Sequence, residues 1–174
     1  IKEACEFLNF PVVSGNVSFY NGTNKKNIFP TPVIGGVGLI NKLTKTLNHN
    51  FQNERNSIIV IGKTFGHLEQ SCFLKENYSI VDGKPPEINL INEKNNGESV
   101  LNLIDKELLV SAHDISSGGL IVALSEMSIG TDIGVKIERP KKLSNMSQYF
   151  FGEDQGRYIL EIEQKNLNKV EKIL

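Results

Sequence analysis

Hydrophobic and polar positions change period repeatedly along the chain, and each change predicts an element. Ile1, Ala4, Cys5 and Leu8 fall at helical spacing, so residues 1–9 read as the last turns of an amphipathic helix, which Pro11 prevents from continuing. Residues 11–21, Pro-Val-Val-Ser-Gly-Asn-Val-Ser-Phe-Tyr-Asn, read as a strand interrupted by small polar residues around Gly15. A glycine inside a strand marks either a bulge or the close approach of another backbone or a ligand, and this stretch alone favours neither. A polar turn over 21–27 leads to Pro30-Thr31-Pro32 and to an apolar, glycine-rich run over 33–40, predicted as a buried strand. Residues 44–56 are polar and rich in Asn; a domain boundary falls here, with His49 as a solvated loop residue.

Beyond that boundary, residues 57–62 read as a fully buried strand. A helix follows over 66–76, with Leu68, Cys72 and Phe73 at its apolar positions and Cys72 as a core residue. Residues 81–96, with Pro85-Pro86 and Asn95-Asn96-Gly97, read as a loop; residues 98–108 place Val100, Leu101, Leu103, Ile104 and Leu108 on one helical face. An apolar strand from Leu109 runs into the polar turn Ser116-Ser117-Gly118-Gly119. A helix starts at once, with Leu120, Ile121, Ala123, Leu124 and Met127 spaced for burial. A short alternating strand over 133–138, closed by Pro140, is followed by a polar region over 144–150 with an aromatic end. A strand over 158–162 and a helix from Asn166 complete the chain. Alternating strands and helices predict a mixed α and β architecture.

Composition narrows the function classes. With 39% hydrophobic residues, 22% charged residues and a formal charge of -1, the chain has no net electrostatic attraction to nucleic acid or an anionic membrane. No apolar run approaches the roughly 20 residues of a membrane span, and no basic segment followed by an apolar one marks a signal peptide. Cys5 and Cys72 lack further Cys or His at metal-ligand spacing, which predicts free thiols in a reducing, cytoplasmic setting. The chain opens without Met inside a helical pattern and stops inside another, as expected of a piece of a longer protein.

Three stretches carry candidate chemistry. In 14–18, Asn and Ser beside Gly15 offer an amide oxygen and hydroxyls. In 109–120, strand, glycine turn and helix N-terminus form the arrangement that presents backbone N–H groups to an anion. An ordinary strand-to-helix connection capped by Ser117 accounts for the same spacing. His113-Asp114 shifts the balance toward function, since a carboxylate beside a phosphate-holding turn is where Mg²⁺ would bind. In 152–157, Glu153, Asp154, Gln155 and Arg157 crowd between two glycines at a strand entry, which is either a solvated loop or a site.

Taken in order, Pro11-Val-Val-Ser-Gly-Asn-Val-Ser18, Pro30-Thr-Pro-Val-Ile-Gly35, Val110-Ser-Ala-His-Asp-Ile-Ser-Ser-Gly-Gly119 and Phe151-Gly-Glu-Asp-Gln-Gly-Arg157 resemble the phosphoribosylformylglycinamidine synthases, essentially over the whole chain. Their folding unit recurs in aminoimidazole ribonucleotide synthetase, selenophosphate synthetase and thiamine-phosphate kinase. The resemblance implies an α+β / α/β mixed fold. Residues 1–54 would be the end of the second synthetase-type N-terminal domain, and residues 55–174 much of the second C-terminal α/β domain. It implies an ATP-dependent ligase of purine biosynthesis that converts formylglycinamide ribonucleotide, ATP and ammonia from glutamine to the amidine, ADP and phosphate through an iminophosphate. Mg²⁺ and ATP are the implied cofactors. A glutaminase subunit and a small bridging subunit, where these are not fused, are the implied partners.

Carried over motif by motif, the resemblance places Gly15 against ATP, Asn16 on Mg²⁺ and Ser18 on the substrate. The family's catalytic histidines and principal Mg²⁺ carboxylates match no residue here, so no catalytic residue is assigned, and the piece alone is expected to be inactive. His113, Asp114, Gly118, Gly119 and Glu153 match a second-half site where some members hold an auxiliary nucleotide and Mg²⁺. Departures from the family pattern bear on that site: Ser117 and Asp154 stand where Asp and Ser are common, and Glu69 where Gly is common. Two other readings remain: a structural, nucleotide-holding half without a direct catalytic role, and another enzyme of the same ATP-binding superfamily.

Overall fold

A computed structural model describes residues 1–138 and 145–174, which form two compact units, Ile1–Leu43 and Thr44–Leu174. In the first unit, helix α1 (Lys2–Phe7) ends before Pro11 as predicted, with Asn9 in the left-handed region (φ 53°). Paired strands here are limited to a two-residue hairpin, β1 (Gly22–Thr23) against β2 (Lys26–Asn27), with Asn24 and Lys25 at positive φ in its turn. The strands predicted over 11–21 and 33–40 do not form as paired strands. Their apolar side chains are exposed, reaching 99% at both Tyr20 and Val37, so the expectation of a buried strand over 33–40 is also corrected. A strand needs a neighbouring strand to complete the ladder and a second layer to bury its apolar face, and neither is present in this unit.

The second unit is built on an antiparallel three-stranded sheet of order β3-β5-β4, with β3 at Ser57–Ile61, β4 at Ser111–Ile115 and β5 at Arg157–Ile162. The central strand pairs through Ile59↔Leu160 on one side and Ala112↔Leu160 on the other, and Ile159, Leu160 and Ile162 are fully buried. Because successive side chains alternate faces, Ile159 joins the core formed with α4 (Gly119–Ser128) and the aromatic residues of α5 (Met146–Phe151). Leu160 and Ile162 join a second core with α3 (Leu90–Asp105) and Val170 of α6 (Leu167–Glu171). The sheet therefore has apolar helical cover on both faces. β3 lies at an edge and is only half-buried, which corrects the reading of 57–62 as fully buried.

Helix boundaries differ from the predicted ones where side-chain caps outweigh composition. The helix predicted over 66–76 is α2 (Cys72–Tyr78), which starts at Ser71, whose hydroxyl accepts from the Leu74 amide (3.3 Å). Cys72 is exposed rather than in the core. Helix α3 begins at Leu90, eight residues before the predicted start, because the Asn89 side chain accepts from the Asn92 amide (3.0 Å). It runs through Asn95-Asn96-Gly97, where the sequence pattern predicts a loop. Gly97 costs the helix about 1 kcal/mol, and burial of Val100 and Leu103 on its inner face offsets that. Residues 133–138 bury Ile133, Val135 and Ile137 partly against the first core, yet they form no ladder among the described residues, so the predicted strand is corrected to a packed segment. Pro140 and Ser144, the expected strand end and the start of the polar region, lie outside the described residues. The remaining helix predicted from Asn166 is a 3₁₀ turn, Gln164–Asn166, continuing into α6.

Candidate functional site

In the first unit, residues 14–18 are exposed and extended. A Cβ built on Gly15 meets nothing within 4 Å, and its φ lies outside the left-handed region, so nothing within the chain requires glycine there. The carbonyl of Ser18 accepts from Asn21 Nδ2 (2.8 Å); among the described residues neither the Asn16 amide nor the Ser18 hydroxyl is engaged in a side-chain hydrogen bond. Amide oxygen and hydroxyl therefore face solvent, open to a ligand.

In the second unit, His113 and Asp114 are successive residues of β4, and their side chains meet while reaching different neighbours. Asp114 borders an open cleft of about 290 Å³ together with Glu93, Ser116, Ser117 and Glu153. Burial pushes the Glu93 carboxyl above its ordinary value. The Tyr158 hydroxyl is pushed up by burial and then by the negative charges of Glu93 and Asp114. His113 is held differently: Nδ1 lies 3.3 Å from Asp114 Oδ1 and Nε2 lies 3.3 Å from Glu126 Oε2 on α4, with the His49 ring edge-on at 5.3 Å. Asp114 and Glu153 thus share the cleft, while the His113 ring lies outside its lining, between Asp114 and Glu126 with His49 edge-on.

The glycine turn is committed to its own protein. Gly118 (φ 82°) occupies the N-cap of α4 without a side-chain capping bond of its own, so Ser117 is not the cap. Its amide donates to Glu153 Oε1 (2.8 Å), and the Gly119 amide donates to the Ser116 carbonyl (3.1 Å). The same Glu153 oxygen accepts from the Cys72 amide (2.8 Å) at the start of α2. One carboxylate oxygen thereby satisfies the N-terminal ends of two helices, where negative charge is favoured. Gly119 also permits contact with the 150–152 backbone, since a Cβ there would sit 2.7 Å from the Gly152 oxygen.

Two buried acidic residues carry structure that the pattern did not signal. Asp154 accepts from the amides of Phe65, Gly66 and His67, with the Arg157 guanidinium beside it. Burial lowers the Arg157 guanidinium, and the charge of Asp154 opposes that shift. Glu161, on the strand that pairs both neighbours, is fully buried and accepts from four donors in the 52–56 loop and β4. Its one signal in the sequence is local, an acidic residue set among isoleucines and a leucine in a strand.

Residues 55–174 match the family model described as AIR synthase related protein, C-terminal domain. Over all 174 residues the chain is 52% identical to the phosphoribosylformylglycinamidine synthase subunit PurL of Pelagibacter ubique, spanning 24% of that protein. It is 44% identical over 171 residues to the protein of the same name from Bradyrhizobium diazoefficiens, covering 98% of this chain and 23% of that one. The chain therefore spans about a quarter of the length of these relatives. Among solved structures, PurLQS from Thermotoga maritima matches with a TM-score of 0.56 at 18% identity, over 76% of this chain and 22% of that one. Thermotoga maritima PurL complexed with FGAR matches with a TM-score of 0.57 at 16% identity, over 75% and 23% respectively. At these identities the two structures support the mixed α and β fold.

Proposed function

Because the chain belongs to the AIR synthase related protein family through that family's C-terminal domain, we propose that it forms part of an ATP-dependent ligase of purine biosynthesis. The ligase converts formylglycinamide ribonucleotide, ATP and ammonia to the amidine, ADP and phosphate. The observation that carries this reading is identity of 52% sustained along the whole chain with a relative named for that synthase. In this reading residues 1–54 close a synthetase-type N-terminal domain and residues 55–174 supply most of a C-terminal one, in the cytoplasm. A glutaminase subunit and a small bridging subunit, or their fused equivalents, deliver the ammonia.

The reaction phosphorylates the formamide oxygen, and ammonia then displaces phosphate from the iminophosphate. Such phosphoryl transfer asks the protein for positioning and charge stabilisation more than for covalent chemistry. Gly15, lacking a Cβ, lets a nucleotide lie against the backbone, and Ser18 offers a hydroxyl to the substrate. Asn16 fits a Mg²⁺ ligand because its amide oxygen is a hard donor on an exposed side chain. Bound Mg²⁺ neutralises the transferring phosphoryl group. Among the described residues no group of three or more His, Cys, Asp or Glu is placed to hold a metal; Asn16 would serve as one ligand of a set completed by other parts of the enzyme.

In the full-length enzyme Asn16→Ala lowers kcat/KM for Mg·ATP by about tenfold or more, the loss of one charge-stabilising contact of roughly 1.4 kcal/mol, with the melting temperature unchanged. An unchanged kcat/KM removes Asn16 from the site. The chain by itself should show no turnover of ATP with formylglycinamide ribonucleotide; turnover would place the catalytic groups here. A second reading treats residues 55–174 as a docking half that holds a permanent nucleotide by the family-matched residues His113, Asp114, Gly118, Gly119 and Glu153, of which Asp114 and Glu153 line the cleft. The shared cleft of Asp114 and Glu153 favours it. Commitment of the Gly118 and Gly119 amides within the protein narrows what a phosphate could bind there. ADP released on denaturing the purified full-length protein supports this reading, and its absence rejects it.

A further inference from the structure

Leaving β3, the chain bends at Gly62 (φ 93°) and takes a second left-handed conformation at Gly66 (φ 81°). Between and after these turns the amides of three successive residues point at a single carboxylate. Asp154 Oδ2 accepts from Phe65 (2.9 Å) and Gly66 (2.9 Å), and Oδ1 accepts from His67 (3.1 Å). Successive amides converging in this way form a concave backbone nest, which is a general binding device for oxyanions. A second source of positive potential lies beneath it. The Arg157 guanidinium is 1% exposed, with Nη1 3.9 Å from Asp154 Oδ2. Its other donors are engaged: Nε with the Asp154 carbonyl (3.1 Å), Nη2 with the Gly152 carbonyl (2.5 Å) and Nη1 with Thr64 Oγ1 (3.2 Å). The guanidinium thus contributes its charge from a fixed position.

Asp154 itself is 5% exposed and borders a cleft of about 590 Å³ between the 62–67 loop and the N-terminal part of α3, where Lys63, Asn89 and Asn92 also face in. Three amides and a buried guanidinium are a stronger anion trap than a loop needs merely to turn. Two closely set glycines with positive φ shape the trap, and at Gly66 a Cβ would sit 2.6 Å from Gln148 Cβ.

We propose that the amide nest at residues 65–67 is an oxyanion subsite of this cleft that the chain closes with its own carboxylate, so that Asp154 stands in for a phosphate or carboxylate group of a ligand. A ligand entering the cleft meets a filled anion position. The inference does not rest on the ligase activity proposed above, and its test does not read that activity.

Thermal melting of the full chain and its Asp154→Ser and Asp154→Asn variants, in inorganic phosphate and in chloride at equal ionic strength, tests the proposal. Asp154→Ser vacates the nest: it melts lower in chloride and recovers with phosphate in a saturable rise of roughly 3 °C or more. Asp154→Asn keeps an oxygen in the nest, and it and the parent show no saturable phosphate response. Equal melting of Asp154→Ser in the two salts, or the same saturable rise in the parent, overturns the proposal. If Asp154→Ser does not fold in chloride, a higher refolding yield in phosphate than in chloride supports the subsite, and equal yields overturn it.

Discussion

Glu161→Gln isolates the cost of one buried negative charge. The parent side chain is 0% exposed and sits on the central strand of the sheet. Oε1 accepts from the Asn53 amide (3.1 Å) and Asn56 Nδ2 (2.8 Å); Oε2 accepts from the Gln52 amide (3.0 Å) and Ser111 Oγ (2.6 Å). All four donors are uncharged, so hydrogen bonds alone offset a desolvation cost of several kcal/mol. In glutamine one oxygen remains and an NH₂ takes the place of the other; set at the Oε2 position it donates to Ser111 Oγ, a hydroxyl that also accepts, and leaves the Gln52 amide as the one donor facing a donor. Each bond to an ionised acceptor contributes about 1.5–3 kcal/mol, so the one lost bond costs about 1.5–3 kcal/mol, and the remaining bonds weaken toward the roughly 1 kcal/mol of neutral ones. Relief of the carboxylate's desolvation returns part of that, leaving a net loss of about 1–3 kcal/mol, an appreciable share of a typical domain stability of about 5–15 kcal/mol. Urea unfolding measures it as a lower midpoint at unchanged slope. Hydrogen exchange should accelerate first at the Gln52 and Asn53 amides and least in β5. A loss below about 0.5 kcal/mol, the range of an ordinary surface change, refutes this account of the carboxylate.

Gly119→Ala should destabilise the second unit by about 2–4 kcal/mol in the same assay, since it combines a positive φ of 72° with a Cβ 2.7 Å from the Gly152 oxygen. Gly15→Ala, with open space and no left-handed φ, should leave stability within about 0.5 kcal/mol, while in the full-length enzyme it raises KM for ATP; a stability loss would show that the glycine serves packing. Glu93→Gln should stabilise the fold at neutral pH. Burial raises the Glu93 carboxyl in the folded state, so its ionisation disfavours folding as pH rises past the ordinary value of 4.5 toward the folded value, and the gain disappears below 4.5. Melting temperatures of parent and variant across that range check the sign. The same substitution should bring the Tyr158 hydroxyl back toward its ordinary value, read by NMR titration of its ring.

Motifs were legible where the chemistry is local. Pro11 ended α1, and the apolar spacing of Leu120, Ala123, Leu124 and Met127 placed α4 to within a residue. Ile159, Leu160 and Ile162 marked β5. The start of α3 was missed because Asn89 caps a stretch whose asparagines and Gly97 resemble a loop, and only burial of Val100 and Leu103 compensates the helix. In the cluster at 153–157, composition left open a loop or a site. The fold instead aims adjacent carboxylates at different backbone donors: Glu153 at the starts of α2 and α4, Asp154 at residues 65–67.

By itself the sequence determined the mixed α and β class, the order of most elements in the second unit and the residues that mark the family, because helical and strand periods and turn chemistry act over a few neighbours. Tertiary structure alone decided which polar groups are spent. The Gly118 amide, the Asp154 nest and the Glu161 carboxylate are paired with residues 35 to 109 positions away, a separation at which sequence spacing carries no distance information. It also decided that the apolar residues over 11–20 and 33–40 stay exposed in this chain, since a strand pattern states which side chains need cover but not what supplies it.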